Sequence, residues 1–263
     1  MEILKSKSVF FSPARKTGDI TSLFVSSLGY DIEKYNITSY KKRDTSVEFS
    51  SNDLAVFAYP VYGGRVPDIM IKQLEKMKSN NTPAVIIAVY GNRAYEDALL
   101  EMQNILSEKG FIVIAAAAFI ANHSIMTKVA VNRPDAQDNE KIKEFAERVK
   151  NKLKNIENIE NILDIEKLNL PGDFPYREYN GIPLKPTGDS KCTACGACVQ
   201  NCPVNAIPAE NPRKTDKTKC ITCMGCAAIC PQGARHLNKI LHFLSEIPFK
   251  KKYGARKEPE IFV

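Results

Sequence analysis

The strings CTACGACVQNCP (Cys192 to Pro203) and CITCMGCAAICP (Cys220 to Pro231) share one spacing, C-x2-C-x2-C-x3-C-P. Adding 28 to each position of the first gives its partner in the second, and the match runs on to Ala206 and Ala234. The segment is an internal repeat, and it holds all eight cysteines of the 263-residue chain. Three chemistries compete for them. Disulfides need an oxidising compartment, and the opening MEILKSKSVFFSPARK has too short an apolar run for a secretory signal. Two zinc sites would use C-x2-C hooks. Such hooks usually pair across a longer loop, and zinc has no use for a third cysteine three residues on or for a closing Cys-Pro. Iron–sulfur cubanes suit the spacing best. Three cysteines at intervals of three wrap one cluster, and the fourth follows on a short helical turn and points to the other cluster.

On these residues, the stretch from about 185 to 235 resembles the bacterial-type two-cluster ferredoxins. The resemblance implies two [4Fe–4S] clusters and one-electron transfer at low potential. It implies that Cys192, Cys195, Cys198 and Cys230 hold one cluster and that Cys220, Cys223, Cys226 and Cys202 hold the other. Gly196 and Gly225 are expected to let backbone N–H groups approach the sulfurs. Pro203 and Pro231 are expected to turn the chain out of each helical turn.

Outward from the repeat, the length predicts two domains rather than one. Composition is that of a globular protein, 44% apolar and 25% charged. No apolar run is long enough to span a membrane. The whole formal charge of +7 lies in residues 191–263, which hold 12 Lys and Arg against five acids. A basic segment commonly signals nucleic acid or an acidic partner. Here no aromatic platform interleaves the cations, and anionic clusters give them a reason. Redox partner proteins, no nucleic acid, no membrane span and a cytoplasmic location are the expectations.

Residues 1–155 alternate strand and helix signals. Apolar runs lie at Ser8–Phe11, Leu54–Tyr59, Ala84–Tyr90 and Phe111–Ile120. Helical stripes lie at Ile20, Leu23, Phe24 and Leu28 before Gly29, then from Val66 to Met77, from Ala98 to Leu106, and from Ile142 to Leu153. Unbroken apolar strands between amphipathic helices predict a parallel sheet covered on both faces, with ligands at the carboxyl ends of its strands. Three loops follow those ends. FFSPARKTGDI opens a helix and reads as an anion site, with Ser12, Arg15, Lys16 and Thr17 as donors. YPVYGGRVP brings Tyr62 with Gly63 and Gly64, and VYGNRAYED brings Gly91, Asn92 and Tyr95. A phosphate cradle beside aromatic, glycine-bearing loops is what a flavin mononucleotide needs.

PVYGGRVP, VYGNRAYEDAL, AAAAFIANHS and the join PLKPTGDSKCTACGACVQNCP are similar to stretches of flavodoxin-like proteins fused to a two-cluster ferredoxin. The resemblance covers nearly the whole chain. It implies a doubly wound α/β flavodoxin-like domain over 1–155, with a parallel five-stranded sheet in order 2-1-3-4-5. It further implies a linker over 156–185, a small α+β ferredoxin domain over 186–235, and a C-terminal helix and tail over 236–263. FMN would be held by Ser12, Ala14, Arg15, Lys16 and Thr17, by Pro60, Val61, Tyr62 and Gly63, and by Tyr90, Gly91, Asn92 and Tyr95. One loop departs from the family pattern. S-x-T-G-x-T reads Ser12-Pro13-Ala14-Arg15-Lys16-Thr17 here, so a hydroxyl and a glycine are lost. A lost hydrogen bond to a charged group costs roughly 1.5–3 kcal/mol, and arginine returns part of it. FMN and an empty or differently filled pocket both stay open.

His123 reads either as a structural hydrogen-bonder or as a proton donor beside the flavin or a substrate. His236 and His242 are expected to be structural residues of an amphipathic tail helix. Lys250–Lys252 is a solvated face or a docking patch for an acidic redox partner. LPGDFPYREYNGIPLKP is expected to drape over the first domain. The favoured function is electron transfer between clusters, flavin and a redox partner. The alternatives are a flavin-dependent reductase, with Tyr62, Tyr95 and His123 around a small substrate, and a cluster module that has lost FMN. No nucleophile–base constellation is visible, which argues against hydrolysis.

Overall fold

In the central strands, alternate residues leave for opposite faces, so one apolar run serves two cores. The computed structural model describes residues 3–43, 46–156, 162–163 and 165–263. Part of the expected linker (157–161 and 164) and the first two residues of the opening stretch lie outside the described residues.

The strands are β1 (Lys5–Phe10), β2 (Asp31–Asn36), β3 (Asp53–Pro60), β4 (Thr82–Tyr90) and β5 (Phe111–Ile120). The helices between and after them are α1 (Lys16–Leu28), α2 (Asp68–Leu74), α3 (Ala98–Glu108) and α4 (Ala136–Lys154). The five parallel strands run β2-β1-β3-β4-β5, the order implied by the flavodoxin resemblance. Val56, Val85 and Ile87 face α1 and α4, where Phe24 meets Phe145 at 5.0 Å between ring centroids. Phe57, Tyr59 and Ile86 face α2 and α3. The parity of β5 changes at Ile114, where the register with β4 skips a residue. That bulge lets Ile114 and Ala115 serve one core while Val113 and Ala116 serve the other.

Two strands give no signal in the sequence. β2 is an edge strand with little buried surface; Lys5 on β1 pairs with its Glu33 at 2.7 Å. The chain also closes on a sixth strand, β8 (Glu260–Phe262), which runs antiparallel against Ala116–Ala118 of β5.

The cysteine segment holds two short helices, α5 (Ala197–Asn201) and α6 (Gly225–Ile229). A two-stranded ribbon of β6 (Thr187–Gly188) and β7 (Arg235–His236) frames it. The repeat is visible in the backbone. Ala194 and Thr222, Gly196 and Met224, and Asn205 and Gly233 are pairs 28 apart, and all six have positive φ. α7 (Lys239–Tyr253) then leads back to the first sheet. His242 sits on it, but His236 belongs to β7 rather than to the tail helix expected for it.

The return is firmly held. Asn92, only 1% exposed, donates to the carbonyls of Tyr253 and Ala255, each at 2.7 Å. Tyr95 donates to Glu260 at 2.8 Å, and Arg133 donates to Lys257 O. The stretch before the cysteines is held too: Asp97 accepts from the backbone of Asp173 and Arg177, and Arg65 donates to Arg177 O. The cysteine segment is thus tethered to the sheet at both ends. Losing the Asn92 amide strands two carbonyls, so Asn92→Ala should cost about 2 kcal/mol. A lowered thermal midpoint, with iron content unchanged before unfolding, is the expected readout.

Candidate redox site

Each set of four cysteines named from the spacing surrounds one small cavity. Cys192, Cys195, Cys198 and Cys230 line one, and Cys202, Cys220, Cys223 and Cys226 line the other. The fourth cysteine around each cavity comes from the other repeat. α5 ends at Cys202 and α6 at Cys230, both in extended backbone, because Pro203 and Pro231 follow. Among the described residues, no three His, Cys, Asp or Glu side chains converge as chelators of a single ion. The thiols of each set line one shared space.

The surroundings fit an iron–sulfur cluster. Burial pushes the Cys223, Cys226, Cys220 and Cys198 thiols up, so bare thiolates there are disfavoured unless a cation compensates. The amide of Ala206 donates to Cys202 Sγ at 3.2 Å, and that of Ala234 to Cys230 Sγ at 3.3 Å. Gly196 has the left-handed backbone that places N–H groups over the cavity. The backbone N–H of Gly225 hydrogen-bonds the Cys223 sulfur, the approach expected of it. Its repeat partner is Ala197, and a Cβ at Gly225 would meet Pro13 O at 2.9 Å. Its missing side chain lets the cysteine segment lie against the first β–α loop.

Arg235 lines both cysteine cavities. It is 3% exposed, like Ile207, the residue 28 positions earlier. Its guanidinium donates to Pro212 O, to Thr215 Oγ1, and to Pro186 O at 3.0 Å. Its Nε is buried without a protein acceptor. Its charge opposes the burial-driven rise of the Cys198, Cys220 and Cys226 thiols.

A larger cavity of about 360 Å³ opens at the carboxyl ends of β1, β3, β4 and β5, within the size range of small-ligand sites. Of the residues expected to hold FMN, it gathers Ala14, Lys16, Thr17, Pro60, Val61, Tyr62, Gly63, Tyr90 and Gly91. Four others are placed elsewhere. Ser12 Oγ accepts the N–H of Gly18 at 2.8 Å, closing the first turn of α1. Arg15 is exposed and takes φ 71°, keeping the left-handed turn that a glycine would adopt without strain. Asn92 and Tyr95 bind the C-terminal tail instead. Their loop looked like a ligand loop because their partners lie more than 160 residues away and leave no local signal.

The cavity also takes residues that sequence reasoning missed. Arg177 and Tyr179 come from the draped strand, and Phe249 comes from α7. The Tyr179 ring occupies the space that a Cβ at Gly63 would fill, and His123 lies 2.6 Å from where one at Gly91 would stand. Tyr62 Oη is buried without a protein partner. Burial, then Cys223 and Tyr179, push its hydroxyl well up, so it stays a donor. An unpartnered buried donor suits a ligand with a polar edge. His123 Nδ1 accepts from the amides of Ile125 and Met126, at 3.1 and 3.0 Å, so its proton sits on Nε2.

Burial, then Arg93, push His123 down to about 4 from its ordinary 6.5, against Glu246. Between pH 6.5 and 4 the unfolded chain binds a proton that the folded one does not. Stability from this residue is therefore complete above pH 6.5 and falls as the pH drops toward 4. The loss should be of the order of 3 kcal/mol. His123→Asn, which keeps an acceptor, should flatten the thermal midpoint across that window. An unchanged slope would remove His123 as its cause.

Comparison with known proteins places residues 191–235 in a match to the 4Fe-4S dicluster domain family. No curated protein matches the chain. Among solved structures, the chain is similar to a flavodoxin of Streptococcus pneumonia TIGR4, at 18% identity and a TM-score of 0.41, over 56% of this chain and 99% of that one. It is similar to the rubredoxin oxygen:oxidoreductase of Desulfovibrio gigas, at 12% and 0.41, over 59% and 37% of the two chains. An azoreductase from Bacillus anthracis str. Sterne gives 12% and 0.41, over 58% and 100%. The sheet order and the matched cysteine segment describe a chain that joins a flavodoxin-like domain to a ferredoxin-type iron–sulfur segment. Among the described residues, no helix is long and apolar enough to cross a membrane.

Proposed function

We propose that this chain is an electron carrier holding two [4Fe–4S] clusters and one FMN, and that it exchanges electrons with a partner protein in the cytoplasm. The observation that carries the proposal is the position of Cys223, which lines both the second cysteine cavity and the larger cavity above the sheet. A group held by that thiolate adjoins whatever fills the larger space. Bound there, a flavin supplies a centre that takes one or two electrons, while the clusters supply one-electron centres.

The chain's own residues bind and space these groups. Cys192, Cys195, Cys198 and Cys230 are the ligands of the first cluster, and Cys202, Cys220, Cys223 and Cys226 those of the second. Lys16 and the opening of α1 attract the phosphate. Tyr62 and the Nε2–H of His123 offer donors to the polar edge of the ring. Tyr179 and Phe249 exclude water, and the tethers at Asp97 and Asn92 hold the two halves at one separation.

Anaerobic purification followed by iron, sulfide and flavin quantification tests the proposal. About eight irons and one FMN per chain are expected. Zinc in place of iron would overturn the cluster assignment, and eight irons without flavin would leave a cluster module alone.

A reductase reading has one observation in its favour. A second cavity of about 630 Å³ adjoins the first and shares Ala14, Lys16 and His123 with it. A small acceptor seated there would touch the flavin site. Its test is reoxidation of the reduced protein by small anionic acceptors, which Lys16→Glu should slow at least tenfold.

A further inference from the structure

α7 faces the wrong way for a surface helix. Its inward side carries His242, Glu246, Phe249 and Tyr253, spaced by three or four residues. His242 Nε2 contacts Ile125 O at 2.6 Å, and Glu246, 3% exposed, accepts the amide of Lys128 at 3.0 Å. Phe249 stacks edge-on against His123 at 5.0 Å. The outward side carries Ile240, Leu241, Phe243, Leu244 and Ile247, each between 49% and 72% exposed. At 100° per residue these five fall within about 160° of arc, opposite the anchored residues. The helix cannot roll to bury them without breaking the contacts of His242 and Glu246. A contiguous apolar face of this kind marks an interaction site.

The charges choose the occupant. Lys239 stands at one end of the face and Lys250, Lys251 and Lys252 at the other, all exposed. The one acid of the helix, Glu246, points inward. A second copy docked antiparallel would set Lys250–Lys252 against Lys239, and docked parallel it would set the triple lysine against itself. Either arrangement opposes like charges. Protein interfaces favour Trp, Tyr and Arg and are depleted of Lys, and this face is mostly aliphatic with lysine at its ends. Aliphatic side chains between lysines suit a bilayer, with the stems lying in the acyl boundary and the ammonium groups at anionic headgroups.

We infer that the outer face of α7 seats this protein on the surface of an anionic membrane, without crossing it. The inference stands independently of the cofactor assignment.

Flotation of the cofactor-loaded chain with phosphatidylglycerol-containing vesicles and with phosphatidylcholine vesicles tests it. Binding to the anionic vesicles, at least tenfold tighter than to neutral ones, is expected. Leu244→Ser with Ile247→Ser should weaken it tenfold or more, as should Lys250→Glu with Lys251→Glu. All four positions are exposed, so an unchanged far-UV circular dichroism spectrum and thermal midpoint will certify the fold. Three results would each overturn the inference. They are no binding to anionic vesicles, binding indifferent to both variants, and a solution dimer that the serine pair dissolves, which would assign the face to a second copy.

Discussion

Cys230→Ser will empty the cavity formed by Cys192, Cys195 and Cys198 and leave the other cluster in place. Iron should fall from about eight to about four per chain. The crossed pairing that the motif resemblance implies sets Cys230 with the distant Cys192 rather than with its neighbour Cys226. The expected loss follows from the crossing seen at the ends of α5 and α6, where each closing cysteine turns into the cavity of the other repeat. Cys202→Ser should do the reverse and remove the cluster nearest the cavity proposed for FMN. The two variants then differ in a second readout. Only Cys202→Ser should uncouple flavin reduction from the remaining cluster, because Cys223 would lose the group that it shares with that space. Low-temperature EPR of the dithionite-reduced proteins should lose any signature of interaction between clusters in both. If each variant lost the cluster of its own repeat, the crossed ligation would be wrong. If either lost no iron, the cluster assignment itself would fail.

What could be read from the sequence divides by range. β3, β4 and β5 announce themselves because both of their faces are buried, and burial on both sides writes an unbroken apolar run. β2 is nearly as long as β3, but it lies at the edge with Asp31, Ile32 and Lys34 exposed, so it has no such run. β8 is three residues long and stays in place because Tyr95 and Asn92 hold the chain around it. The grouping of the cysteines around two cavities was legible because three of each four lie within seven residues of one another at a stereotyped spacing. Which glycines mattered was not legible from spacing alone. Thr222 and Met224 adopt positive φ without being glycine, and Gly225 serves contact with Pro13 besides its hydrogen bond to Cys223. Asn92 and Tyr95 were misassigned to the ligand for the same reason in reverse. A polar residue at a strand end signals a site whether its partner is a cofactor or a distant carbonyl. One missed residue did leave a trace. Aligning the repeat puts Arg235 opposite Ile207, a full charge where its partner is a buried aliphatic, and a charge is retained in such a place only with a specific role or a complete set of partners.

Arg235→Met will therefore act on both clusters at once. The side chain touches both cysteine cavities, whereas Ile207 touches only the second. A fixed cation favours the reduced state, which carries one more negative charge, so removing it should lower both midpoint potentials. At an effective dielectric near 20, a unit charge about 10 Å away is worth about 1.7 kcal/mol, more than a tenfold change in each one-electron equilibrium. Stability will fall as well, because Pro212 O loses the guanidinium while Pro186 O keeps only the Thr215 hydroxyl, at about 1–3 kcal/mol for a carbonyl left buried. Arg235→Lys separates the two effects. It keeps the charge but not the planar fork that reaches Pro186, Pro212 and Thr215 together. Its potentials should stay near those of the natural chain while its melting temperature drops. Redox titration of preparations matched for iron content decides the matter. Potentials that coincide in the natural chain and the methionine variant would reduce Arg235 to a clamp on the loops that it ties together. A shift confined to one cluster would mean that its charge is screened from the other.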